Sequence, residues 1–274
     1  MGLSAKLPPV YLNHVFVTVD QETYAAIGAS KFLQDRFADV QSLSVQADRA
    51  QSWSGTYVRG RRTYLELFPA GGVTFRSVGD CGVGLGVETE NGIASVYGSL
   101  QGAFHRKVRR RLRKRRVKNQ LIPWFRYVYF VYAESHAPVN LWVMEYLPSY
   151  MEFAKKPTVP GIGTISRERY NAPKFAKKRY LEDITRVTIA LNQIRRRRLA
   201  RVLRALGYYV SDASQRTVCK GPGVQFVLVP STGSKKGIVE LKMSLLKPIR
   251  HPVKLAFGGN SSLRLLRRIA TWTF

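Results

Sequence analysis

Two alternating stretches decide the fold: Leu12-Asn13-His14-Val15-Phe16-Val17-Thr18-Val19 and Thr63-Tyr64-Leu65-Glu66-Leu67-Phe68. Each sets one ionisable side chain among apolar neighbours, and period-two alternation of this length predicts half-buried strands. Between them Asp20 can cap a helix whose apolar positions are Tyr24, Ile27, Phe32, Leu33 and Phe37. Gln41 to Ala47 and Ser54 to Arg59 read as shorter strands. The order is strand, helix, three strands, with His14 on the first strand and Glu66 on the last.

That order, with those two residues 52 positions apart, resembles one module of the vicinal oxygen chelate superfamily, which includes glyoxalase I, extradiol dioxygenases and bleomycin resistance proteins. The whole chain also resembles an uncharacterised bacterial family within this fold. The resemblance implies an α+β protein in which repeated βαβββ modules form curved, cup-like mixed sheets with helices on the outer faces. It also implies that the first and last strands of each module project metal ligands into the cup.

Downstream, Pro69-Ala70-Gly71-Gly72 reads as a turn closing the first module. Cys81 to Glu88 is a strand with Gly82, Gly84 and Gly86 on every second position, which signals close approach of another group rather than a phosphate loop. From Ile93 to Lys118 the apolar residues Ile93, Val96, Tyr97, Leu100, Phe104, Val108 and Leu112 keep a helical period through a dense arginine run. A long amphipathic helix is expected there. Its outer face would carry Arg109, Arg110, Arg113 and Arg116, either as a solvated surface or as a polyanion-binding one. Trp124 to Tyr132 and Asn140 to Leu147 read as strands, the latter carrying Glu145.

Paired modules are therefore expected over residues 10–150 (about 10–70 and 80–150), followed by a Pro- and Gly-rich linker at 151–180 and a third, degenerate module at 181–274. In the third, Ile184 to Leu191 is a strand, Asn192 caps a helix that Gly207 ends, and Arg186 and Glu240 stand where the first module has His14 and Glu66. The second module departs from the superfamily pattern. Its first strand offers only Val83, Gly84 and Leu85 where a second His is expected, and His105, His136 and His251 have no matching position.

Lys and Arg outnumber Asp and Glu by 45 to 17, a net charge of +28 that attracts anionic partners without dictating fold. The two cysteines, Cys81 and Cys219, form no metal-binding or disulfide pattern. No signal-like or long apolar run is present, and a cytoplasmic protein is the default expectation. Gly2 is not read as a myristoylation site, because Lys6 stands where Ser or Thr is required.

A carboxylate on an inward strand face needs a partner. Under the resemblance, His14, Glu66 and Glu145 would hold a divalent metal, with Glu145 also the catalytic candidate. The chain would then be a lyase, isomerase or dioxygenase acting on a small oxygenated substrate. Otherwise the glutamates pair with arginines such as Arg59, Arg61 or Arg126. Two further classes fit the sequence: a non-catalytic protein that sequesters a small molecule, possible anionic ligands included, and a nucleic-acid binder using Arg106 to Lys118 and Arg195 to Arg204.

Overall fold

A computed structural model describes residues 7–48, 51–71, 77–131, 139–213, 215–233 and 235–274. The first module is β1 (Val10–Val19), α1 (Gln21–Ala29), β2 (Asp39–Asp48), β3 (Gln51–Arg59) and β4 (Tyr64–Pro69). Asp20 caps α1 as the sequence predicts, its Oδ1 accepting from the Thr23 N–H at 2.7 Å. The helix stops at Ala29, and Leu33–Phe37 forms a separate π-helical turn.

The second module repeats the order with β5 (Cys81–Val87), α2 (Gly92–Phe104), β6 (Val108–Val117), β7 (Gln120–Phe130) and β8 (Val139–Tyr146). The eight strands form one sheet in the order β2-β3-β4-β1-β5-β8-β7-β6. Within each module the first and last strands pair parallel, and β1 meets β5 antiparallel at the centre. The sheet curls until its edge strands β2 and β6 approach one another, which makes the cup. β1 is buried on both faces rather than half-buried, because its second face is covered by aromatic side chains of the cup.

The arginine run corrects the sequence reading. The helix ends at Phe104, His105 turns with φ 50°, and residues 108–117 are strand. Val108 and Leu112 lie four apart, a spacing that one helix face and one strand face share. Pairing with the aromatic strand β7 decides between them: the guanidinium of Arg111 sits 5.6 Å from the Tyr129 ring, that of Arg113 5.5 Å from Tyr127, and that of Arg115 5.0 Å from Trp124. Strand alternation also separates the expected polyanion residues. Arg109 and Arg113 face the cup, Arg110 lies over Tyr97 of α2 on the outer face, and Arg116 lies beyond a register shift opposite Leu121. They form no single surface.

The third module is β9 (Leu181–Leu191), α5 (Gln193–Ala205), β10 (Tyr209–Ala213), β11 (Arg216–Gly221) and β12 (Val224–Pro230), followed by the long pair β13 (Gly237–Phe257) and β14 (Ser261–Thr273). Their sheet order is β10-β11-β12-β9-β13-β14. The parallel partner of β9 is thus β12, so Arg186 stands opposite Gln225, and Glu240 belongs to the antiparallel neighbour β13. One apolar core runs from Val15, Val83 and Leu141 through Val96 and Leu100 of α2 to Leu203, Val187 and Leu241. The stretch expected as a linker contains two short helices, α3 (Pro148–Phe153) and α4 (Arg167–Asn171). Its Tyr150, Met151, Ile165 and Tyr170 are buried against the inner face of the cup.

Candidate functional site in the cup

Strand registers lay out one rung across the concave face: Arg59, Tyr64, His14, Gly84, Trp142, Tyr129, Arg109. His14 is 6% exposed and sits at its centre. Its imidazole stacks on Tyr64 at 4.7 Å, meets Trp142 edge-on at 5.1 Å, and lies over Gly84. A Cβ on Gly84 would collide with His14 Cε1, so the glycine is the space the ring occupies. His14 Nδ1 is 2.8 Å from Asn13 Oδ1, and the Asn13 amide reaches the Tyr146 hydroxyl at 3.3 Å. Burial, reinforced by the positive charge of Arg59, pulls the imidazole pKa down to about 3, so the ring is neutral.

Glu66 lies on the same face. It is half-buried, opposite Phe16 and Tyr57 in register, and its charge helps push the Tyr57 and Tyr64 hydroxyls upward after burial itself. Glu145 does not join them. Along β8 Trp142, Met144 and Tyr146 face the cup, so Glu145 points the opposite way. There, 2% exposed, it accepts N–H groups from Asn91 at 3.1 Å and Ile93 at 2.8 Å at the start of α2, with Arg126 at 3.8 Å. This is a carboxylate on the positive end of a helix, with one of the arginines the sequence offered as its partner.

The module repeat gives the second-module positions equivalent to His14 and Glu66. Gly84 corresponds to His14 by the central register, and Met144, paired with Gly86, corresponds to Glu66. The four positions thus carry His, Glu, Gly and Met. Among the described residues no group of three His, Cys, Asp or Glu side chains could hold a metal ion. The expected set of His14, Glu66 and Glu145 does not fit one: two members share a face, and the third is spent on α2. His105 is exposed at the end of α2, His251 is exposed on β13, and His136 lies outside the described residues.

Besides Glu66, the cup holds several cations. Arg59, 8% exposed, lies 4.9 Å from the Tyr57 ring and 5.1 Å from Tyr64, and its Nε has no hydrogen-bond partner among the described residues. Arg115 Nη1 donates to the Tyr150 hydroxyl at 3.1 Å. Lys156 Nζ lies 4.4 Å above Tyr170 and donates to that residue's carbonyl at 2.7 Å. Tyr170 stacks on Tyr146 at 4.1 Å, and Tyr57, Tyr64, Tyr146, Tyr150 and Tyr170 belong to one buried cluster, so the three cations ring one group of tyrosines.

None of the three has a carboxylate at ion-pairing distance among the described residues. Their proximity shows in Lys156, whose pKa falls to about 8 through burial first and then the charges of Arg59, Arg115 and Lys174. Asn171, next to Tyr170 in the chain, is buried with both amide atoms unpartnered among the described residues. Sequence reasoning treated Arg59 only as an ion-pair candidate and missed Arg115 and Lys156. The available signal was the recurrence of Tyr57, Tyr64, Tyr146, Tyr150 and Tyr170 near strand ends and in the supposed linker.

Among solved structures, a hypothetical protein from Staphylococcus aureus is similar at 11% identity and a TM-score of 0.56, over 90% of this chain and 95% of that one. This likeness shows the fold. More distant are a homoprotocatechuate 2,3-dioxygenase from B. fuscum (11% identity, TM-score 0.43, 98% and 73% of the two chains) and a halotolerant catechol dioxygenase (8%, 0.40, 94% and 84%). No curated protein matches the sequence. Residues 12–274 match the profile of the family of unknown function DUF5829, and the chain belongs to that family.

Proposed function

We propose that this protein is a vicinal-oxygen-chelate-like binding protein that captures a small organic anion in its cup, with Arg59, Arg115 and Lys156 doing the work that a metal does elsewhere on such a fold. The observation that carries this reading is the three cations around one tyrosine cluster that have no carboxylate at ion-pairing distance among the described residues. A buried charge left unpaired is costly, and an anionic group accepting from these donors removes that cost through charge-assisted hydrogen bonds of about 1.5–3 kcal/mol each. The tyrosine rings favour a ligand with a flat apolar body, worth about 0.5–1.5 kcal/mol per ring contact.

Phenyl phosphate and benzoate, titrated by calorimetry, test the proposal. Saturable binding is expected, lost in Arg59→Met and Lys156→Met chains that keep the wild-type circular dichroism. Because Lys156 titrates near pH 8, wild-type affinity should fall as pH rises through that value, by up to about ten-fold per unit, and the dependence should vanish in Lys156→Met. Stoichiometric uptake of a divalent metal that His14→Ala and Glu66→Ala abolish, with no response to either anion, would overturn it in favour of metal chemistry.

A further inference from the structure

The outer surface carries a second cationic feature, independent of the cup. One cleft of about 730 Å³ is lined by Phe104, His105, Lys107 and Arg201, and another of about 610 Å³ by Arg196, Arg197, Arg201, Arg204 and Asp212. Arg201 belongs to both, so they join into one furrow from the end of α2 along α5. We propose that this furrow binds the phosphate backbone of single-stranded nucleic acid.

Arg197, Arg201 and Arg204 recur at one helix face and are exposed. At 1.5 Å rise per residue they span roughly 10 Å, long enough for successive phosphates of one strand. Arg201 is held in place: it donates to the Ala103 carbonyl at 2.9 Å and lies 4.9 Å from the Phe104 ring. The one carboxylate lining the furrow among the described residues, Asp212, meets Arg204 at 3.8 Å with both side chains more than half exposed, a pair weak enough to exchange for phosphate. Like-charged neighbours on a helix repel, and a polyanion relieves that. The cations follow one another along a single helix face, a line that matches the phosphates of one strand.

The test uses the full chain and a short fluorescein-labelled oligothymidylate, with anisotropy followed across a salt series. Wild type should bind with an affinity that drops steeply as salt rises. Replacing Arg197→Gln, Arg201→Gln and Arg204→Gln together should weaken binding at least ten-fold and reduce the slope of log affinity against log salt by about 2, three phosphates at about 0.7 each. A control triple of equal charge on the β13–β14 pair, Arg250→Gln, Lys254→Gln and Arg264→Gln, should change affinity less than two-fold. Melting curves check that both triples fold. Equal losses in the two triples would overturn the proposal, since net charge alone would then explain binding. Sedimentation with phosphatidylserine vesicles in the absence of oligonucleotide binding would overturn it as well.

Discussion

The two modules of the cup share a chain path and differ at its centre. The first keeps His14 and Glu66 on the concave face, whereas the second places Gly84 and Met144 there. The glycine does more than omit a ligand: it yields its side-chain volume to the imidazole of the other module. The position that pairs with His14 is thus a packing position, with the ring held neutral between Tyr64 and Trp142.

The strongest way to break this comparison is acid. Unfolded, His14 protonates near pH 6.5; folded, it resists until about 3. Its stabilisation is therefore complete above pH 6.5 and is lost as pH falls, by about 1.4 kcal/mol per unit and about 4 kcal/mol near pH 3.5. Urea unfolding at stepped pH should show this slope in wild type and lack it in His14→Phe, whose ring can occupy the same space. Equal slopes would mean that the imidazole is not sealed in.

Next, Gly84→Ala should cost about 3 kcal/mol, because the new Cβ meets a ring that stacking prevents from moving. Adding His14→Ala to the same chain should recover at least half of that loss, a coupling that a double-mutant cycle reads directly. Additive losses would place the strain elsewhere.

Smaller again, Glu145→Gln should cost about 2 kcal/mol, since one of the two N–H groups of α2 then faces an amide. The loss should be the same with and without EDTA, whereas a metal ligand at this position would make the wild type itself sensitive to the chelator. The smallest effect belongs to the cation–ring pairs of β6. Arg111→Ser, with the ring of Tyr129 beneath it, should shift stability by about 1 kcal/mol or less in thermal melts.

What could be read from the sequence followed local rules. Asp20, Asn192 and Gly207 act as expected because caps are decided within a few residues, and the βαβββ order follows from alternation around His14 and Glu66. Glu145 failed because both its neighbours are apolar and buried, so nothing in Met144-Glu145-Tyr146 says which of the three faces the cup. A one-residue slip in a period of two inverts the answer. The arginine strand failed because its state is set by pairing with β7 across the hairpin and not by the period of its own residues. Lys156 and Tyr170 lie in segments with no periodicity, and only the closing of the cup gives them a common neighbour.

The placement of β6 at the margin of its sheet has a consequence for how these molecules meet one another. A strand border open to solvent is a template on which a second copy can add and fibres can grow, and the approach of β2 to β6 screens this one. Here two such borders brought together would set ranks of guanidinium groups facing their own kind, and like charges directly opposite oppose the pairing. The curl of the sheet and the arginines of β6 thus both work against edge-to-edge addition of a second copy.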